Sequence, residues 1–246
     1  MAIDRSTGRA EFYDAQLNCW HLSPQLSFEL PSKQKEFNLE LEHFGASGSV
    51  LYAFGGHDKQ FDSSGKAWRR NIDRPLSSWT PIEPMSQPRK LFASVLFGGS
   101  LYALGGIQKS GSYHCLNSCE RYDSQANVWC NLPGLKLARW GAAAAASVTG
   151  DGCLYIAGGS NGGGVVCERT VERYDPQEDA WRLVAPMTTA RCLFTLTPFA
   201  GRLWAVGGQT VHRPEAMASV ESYDPATDRW QEEAPLAEPR RKTCRS

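Results

Sequence analysis

Apolar residues along this chain come in short runs that stop abruptly at glycine or at a turn, and the runs repeat. LYAFGG (51–56), LYALGG (101–106), LYIAGG (154–159) and LWAVGG (203–208) are versions of one phrase, with Gly-Gly pairs 50, 53 and 49 residues apart. Downstream of the last three lies a stretch of mixed polarity that closes on tryptophan: ERYDSQANVW (120–129), ERYDPQEDAW (172–181) and ESYDPATDRW (221–230). A degenerate version, RNIDRPLSSW, fills 70–79, and EFYDAQLNCW stands at 11–20 with no Gly-Gly before it. The Tyr position (Ile72 in the degenerate copy) precedes the Trp by seven residues in all five. A third phrase opens the later units with an arginine and then apolar residues: PRKLFASVLF from Pro88, ARWGAAAAASV from Ala138, ARCLFTLTPF from Ala190.

Short β-branched and aromatic runs bounded by Gly, Pro and Asp read as strands. The pattern predicts about four per unit: one after the Arg, one ending in Gly-Gly, one ending in Tyr-Asp and one carrying the Trp. Ala142–Ala146 has helical propensity taken alone. It fills the slot of Phe92–Phe97 and Leu193–Phe199, so register predicts a strand of small residues where space is short. Asp-Pro at 175–176 and 224–225 marks the turn between the last two strands. Gly55-Gly56, Gly105-Gly106, Gly158-Gly159 and Gly207-Gly208 end the second strand, where backbone turns with φ > 0 or a neighbour comes close. Trp20, Trp79, Trp129, Trp181 and Trp230, with Tyr122, Tyr174 and Tyr223, hold fixed repeat positions and are expected to pack between units.

A lone four-stranded antiparallel sheet cannot cover its own faces; copies stacked radially can, which is a β-propeller. A period near fifty fits kelch repeats rather than the shorter WD type. LYxxGG, ExYDPxxxxW and the xPMxxxR phrase (IEPMSQPR, 82–89; VAPMTTAR, 184–191) resemble kelch repeats, and more narrowly those of the kelch-like adaptors, from about Glu11 to Arg240. The expected fold is an all-β kelch-type propeller forming one domain, 1–246. Its complete four-stranded blades are expected at about 38–82, 88–133, 138–186 and 190–235, with partial blades at 1–20 and 239–246. Kelch-like propellers usually have six blades, so the ring is expected to be incomplete or open. The resemblance also implies a fragment, splice product or partial gene model lacking the BTB and BACK domains. Residues 21–49 are longer than their counterparts and lack the opening Arg.

Charge narrows the function. The 26 basic and 26 acidic residues cancel, so no global field draws nucleic acid or an anionic membrane. Arg240, Arg241, Lys242 and Arg245 form a short basic tail, read as a solvated end. The first twelve residues, MAIDRSTGRAEF, have no apolar core for a secretory signal, and no apolar run nears the ~18 residues of a membrane span. Eight scattered cysteines without a CxxC are expected to be reduced thiols of a cytoplasmic protein, with the nucleus as second option.

Candidate chemistry is sparse. The glycine-rich stretch 158–164 is followed by Val165, not by the Lys-Ser/Thr of a phosphate loop, and by strand-like sequence rather than a helix. His21, His43, His57, His114 and His212 lie far apart. Tyr113-His114-Cys115 resembles part of the copper site of kelch-fold oxidases, but has no second His nearby. Asp58 and Asp62 read as solvated, and Asp123, Asp175 and Asp224 as turn caps. No catalytic residue, metal or cofactor is expected.

A binding face is expected on the loops after each Gly-Gly, whose sequences differ on a fixed frame: His57, Asp58, Gln108, Tyr113, His114, Asn161, Gln209 and His212. Arg89, Arg139, Arg191 and Arg240 open their units beside that face. Two readings stand. The resemblance implies guanidinium groups gripping an acidic peptide; the alternative is arginines bonded to turn carbonyls of the adjacent blade. The implied function is client recognition for a cullin-RING ubiquitin ligase, reached only indirectly without BTB. The partner would be a protein, with no nucleic acid and no membrane. The alternatives are an actin-binding kelch protein and a kelch-fold oxidase or sugar epimerase.

Overall fold

The LYxx phrases have no polar positions because both faces of that strand are covered. Leu101 and Ala103 pack toward the preceding sheet, among Tyr52, Phe54 and Met85. Tyr102 and Leu104 pack toward the next, among Leu154, Ile156 and Trp181. Alternation is lost where a strand is buried twice, and sheets stacked face to face impose that on every interior second strand.

The computed structural model describes residues 2–3, 10–14, 19–22, 39–40, 43–58, 60–74, 77–110, 112–147, 150–162, 166–210 and 215–241. All its regular structure is β. Near the N-terminus lie β1 (Ala2–Ile3), β2 (Ala10–Asp14), β3 (Cys19–Leu22) and β4 (Leu39–Glu40). Blade I follows with β5 (His43–Ser47), β6 (Val50–Phe54), the short β7 (His57–Asp58), β8 (Ala67–Asn71) and β9 (Thr80–Ile82). Blade II has β10 (Ala93–Phe97), β11 (Ser100–Leu104), the hairpin β12 (Ile107–Ser110) and β13 (Ser112–Cys115), β14 (Cys119–Asp123) and β15 (Val128–Leu132). Blade III is β16 (Ala143–Ala146), β17 (Leu154–Ala157), β18 (Val171–Asp175) and β19 (Ala180–Val184). Blade IV is β20 (Thr195–Phe199), β21 (Arg202–Val206), β22 (Val220–Asp224) and β23 (Arg229–Glu233).

Each blade is a four-stranded antiparallel meander, and β1–β3 form a three-stranded sheet. First strands of successive blades lie side by side in chain order: β5 by β10, β10 by β16, β16 by β20. The alanine stretch is therefore a strand wedged between two others. Ala143 and Ala145 face blade IV, while Ala142, Ala144 and Ala146 face blade II.

The Tyr and Trp of the second phrase sit opposite each other on the third and fourth strands: Tyr122↔Trp129, Tyr174↔Trp181, Tyr223↔Trp230. Tyr13↔Trp20 repeats the pairing in β2 and β3. The indole N–H groups of Trp129, Trp181 and Trp230 each reach back one blade, to the carbonyls of Glu83 (2.9 Å), Pro133 (3.0 Å) and Ala185 (2.9 Å). Each Tyr hydroxyl is held by the residue five later: Asn127 (2.8 Å), Asp179 (2.6 Å) and Asp228 (2.7 Å). Asn127 and Asp228 also accept the N–H of Glu83 (3.2 Å) and Ala185 (2.8 Å). One linker residue is thus gripped at both backbone groups. Pro133 has no N–H, so that linker residue is gripped through its carbonyl. Asp123, Asp175 and Asp224 accept turn amides two residues on, each at 2.9 Å.

Blade I departs from the sequence expectation in one place. Leu51 pairs with Arg70 where Leu101, Leu154 and Leu203 pair with Tyr122, Tyr174 and Tyr223. Arg70, not Ile72, therefore takes the Tyr slot. The Ala67↔Ile82 register puts Trp79, which is buried, next in line opposite it. The turn of this blade is two residues longer than the others, which hid the register.

The glycine pairs mark where the next linker crosses. Gly105, Gly158 and Gly207 have φ near +65°, and a Cβ on them would lie 2.6, 2.4 and 2.3 Å from the carbonyls of Arg139, Arg191 and Arg240. The following glycine donates its N–H to that same carbonyl, at 2.8, 2.9 and 2.8 Å for Gly106, Gly159 and Gly208. No side chain fits there. Gly158→Ala is expected to destabilise the protein by about 3 kcal/mol or more, since strain and a backbone clash combine. Gly98→Ala, where φ is +57° and nothing lies within 4 Å, should cost only ~1 kcal/mol. Urea unfolding of both variants checks this, and equal losses would contradict it.

Candidate functional site

The linkers and the loops after each Gly-Gly share one rim of the propeller, because the opening arginines of blades II to IV are bonded to the rim ends of strands two and three. Arg89 Nη1 donates to the carbonyls of Gly105 (2.7 Å) and Ser118 (2.9 Å), and Nη2 to Glu120 Oε1 (2.7 Å). Arg139 repeats this on Gly158, Thr170 and Glu172, and Arg191 on Gly207, Ser219 and Glu221. The glutamates accept linker amides with the rest of their capacity. Ser86 N–H reaches Glu120 at 2.7 Å, Lys136 N–H reaches Glu172 at 2.7 Å, and Thr188 N–H reaches Glu221 at 2.6 Å.

All three arginines are 0% exposed and their glutamates at most 1%. This overturns the reading of Arg89, Arg139 and Arg191 as a partner-gripping face: every described guanidinium contact is internal, and a peptide carboxylate cannot reach them. Burial lowers the Arg139 pKa, with Glu172 opposing the shift. Arg240 keeps the backbone contacts of the series (N–H to Met217 O, 3.0 Å). Its side chain is 74% exposed, 3.6 Å from Glu238.

Blade I shows what this clamp replaces. Glu40 pairs with His57 as Lys90 bridges Ile107, so Leu39 holds the arginine slot. Ala53 pairs with Trp68 as Ala103 pairs with Glu120, so buried Trp68 holds the glutamate slot. Both charges are absent from one blade, and its sheet still forms.

The variable loops lie above these clamps. In blade I, Asp58 Oδ1 accepts the N–H groups of Gln60 and Asp62, both at 2.9 Å, so this carboxylate shapes the loop. Asp62 is exposed and sits 3.4 Å from Lys109 Nζ. His57 is buried rather than on the face, its ring stacked on Phe61 at 4.9 Å. Phe61 has φ +62° and is 43% exposed. Lys90, next to the first buried arginine, is itself buried. Its Nζ donates to Phe61 O (2.9 Å) and lies 5.7 and 5.1 Å from the Phe61 and Tyr113 ring centres. Tyr113 is 61% exposed on the β12–β13 hairpin. Two exposed rings thus flank an enclosed ammonium group, and Lys109 adds a bond to Gln60 O (2.8 Å).

The other expected loop residues are dispersed. Gln108 bonds Gln87 (3.0 Å), His114 bonds Ser112 (2.9 Å), and Asn161 bonds Glu168 (2.8 Å). Gln209 bonds Arg241 through its side chain. His212 lies outside the described residues. Beside Tyr113 and His114, Cys115 turns toward Ser160 O (3.7 Å), and burial pushes its thiol up to about 11. The sequence reading missed Phe61 and Lys90: one lies inside a loop with no repeat counterpart, the other beside the repeated arginine that drew attention.

Repeated four-stranded blades joined by Arg-led linkers across Gly-Gly pairs define a kelch-type propeller. The Kelch motif profile matches residues 88–136, 142–188 and 190–237, together more than half of the chain. The chain belongs to the Kelch motif family. It is 36% identical to Kelch-like protein 26 of Danio rerio over 166 residues, 67% of this chain and 26% of that protein. It is 34% identical to Kelch-like protein 33 of Homo sapiens over 146 residues, 59% of this chain and 26% of that protein. Kelch-like protein 40 of Mus musculus is 28% identical over 199 residues, 80% of this chain and 30% of that protein. The chain therefore spans between a quarter and a third of the length of these relatives. The solved structure of YjhT superposes with a TM-score of 0.67 over 82% of this chain and 67% of that one, at 15% identity, a likeness of fold.

Removing one partner of a buried ion pair strands the other charge, so Glu172→Ala should destabilise by about 3–5 kcal/mol. Replacing both, as in Arg139→Met/Glu172→Leu, should recover most of that loss, as blade I foreshadows. Chemical denaturation tests the pair; a double variant no better than Glu172→Ala would contradict it.

Proposed function

We propose that this propeller is a protein-recognition module, with its client bound on the loop rim around Phe61 and Tyr113. The observation that carries this is a division of labour. Residues repeated from blade II to blade IV are consumed internally, while residues differing between blades gather above them and include two exposed aromatic rings. Aromatic anchors on a rigid frame bind with little ordering cost. The client contact rests on aromatic side chains and loop backbone, not on buried arginines, which removes the original ground for an acidic peptide.

The resemblance to kelch-like adaptors supports a finer reading: client recognition for a cullin-RING ubiquitin ligase, in the cytoplasm. In that arrangement the propeller selects the client, and engagement of the cullin belongs to BTB and BACK domains of the adaptor. Residues of this chain would then affect which proteins are modified rather than any chemical step.

The test is Phe61→Asn/Tyr113→Ser. Both sites are exposed and Asn tolerates positive φ, so the melting temperature should stay within about 2 °C of wild type. Proximity labelling in cells should lose most wild-type partners at least tenfold. Retention of all partners by the folded variant would overturn the assignment.

A further inference from the structure

At two blade boundaries, the residue after the opening arginine lies against the loop of the blade before. In blade II that residue is Lys90, which bonds Phe61 O of the blade I loop at 2.9 Å. In blade IV it is Cys192, and the group it meets in the blade III loop is Cys167, with sulfurs 3.0 Å apart. Cys192 is 0% and Cys167 7% exposed, and neither is in a disulfide. Both also lie near one carbonyl, Gln209 O, at 3.6 Å from Cys167 and 3.7 Å from Cys192. Val166, beside Cys167, is 55% exposed, so the pair lies directly under the loop surface.

We infer that Cys167 and Cys192 are a peroxide-sensitive thiol pair that closes to a disulfide tying the blade III loop to the blade IV linker. The sulfurs need to approach by about 1 Å to reach the ~2.05 Å of a bond. Cys167, the more accessible, attacks one oxygen of a small peroxide; the O–O bond breaks, and the displaced hydroxide leaves as water with the thiol proton. Cys192 then attacks the resulting sulfenic sulfur. The S–S bond forms, the S–O bond breaks, and a second water carries off the Cys192 proton. The sulfurs lose two electrons and the peroxide oxygens gain them. The product makes covalent what Lys90 does by hydrogen bond two boundaries away, and it fixes the segment carrying Asn161 and Val166 at the rim.

The experiment is a hydrogen peroxide titration of the purified chain, followed by alkylation and tryptic mapping without reductant. The peptide ending at Arg169 and the peptide beginning at Cys192 should become linked, and reductant should separate them. The oxidised protein should melt about 5 °C or more above the reduced one. Cys192→Ser and Cys167→Ser should each abolish both the link and the shift; if either variant fails to fold, fragment-ion sequencing of the linked wild-type peptides, which separates Cys167 from Cys153, still decides. Continued alkylation of both thiols throughout the titration, or linkage of either to another cysteine, would overturn the inference.

Discussion

A buried arginine, its glutamate and four backbone groups form the contact on which the propeller is organised. Each set ties a linker to the rim ends of two strands, with Arg89–Glu120, Arg139–Glu172 and Arg191–Glu221 at 2.7, 2.8 and 2.6 Å. Taking these charges out of water costs several kcal/mol per ion. Carboxylate–amide and guanidinium–carbonyl bonds offset that cost, although Nε of Arg89 and Arg191 has no partner among the described residues. The gain lies in direction: apolar packing can slide, whereas this network accepts one linker path. Leu39 and Trp68 in blade I occupy the same slots without charge, so the clamp sets geometry more than it supplies net stability.

The rest of the conserved geometry within the chain follows from that path. A linker held by its arginine passes its carbonyl over the preceding blade, and only glycine at 105 and 158 leaves room for it; Gly207 stands in the same relation to the carbonyl of Arg240, whose side chain is exposed. Two residues on, Gly141 N–H donates to Leu91 O (2.7 Å) and Leu193 N–H to Gly141 O (2.8 Å), chaining blades II to IV through backbone. Leu91 and Leu193 accept φ +53° to do so, a strained setting for such side chains. Farther out, the tryptophans grip the same linkers from the side. With every repeated polar group used inside, loop sequence is free to vary without loss of fold, and that freedom suits a recognition surface.

Much of the scaffold was legible because a repeat reports its own register. Ala142–Ala146 would read as helix on propensity, yet its slot between Arg139 and Gly158 identified it as strand. Tyr-to-Trp spacing located the cross-strand pairs directly, and failed only where the blade I turn lengthened and made Ile72 stand in for Arg70. The arginines were legible as positions and not as environments. Their glutamate partners lie some thirty residues downstream, inside the same ERYD phrase that announces the Tyr, and sequence alone does not say which side of the rim a guanidinium faces. The aromatic pair around Lys90 had no repeat to report it; it arises only when the loops of two blades are folded against one another.

Native-state amide hydrogen exchange tests this organisation most directly. If the clamps position the linkers, the amides of Lys136, Gly159 and Thr188 exchange as slowly as those of core strands β17 and β18, opening only with the whole domain, while the Gln60 and Asp62 amides exchange far faster. Linker amides that exchange as fast as the loop would show that the arginine network does not hold the blades in place.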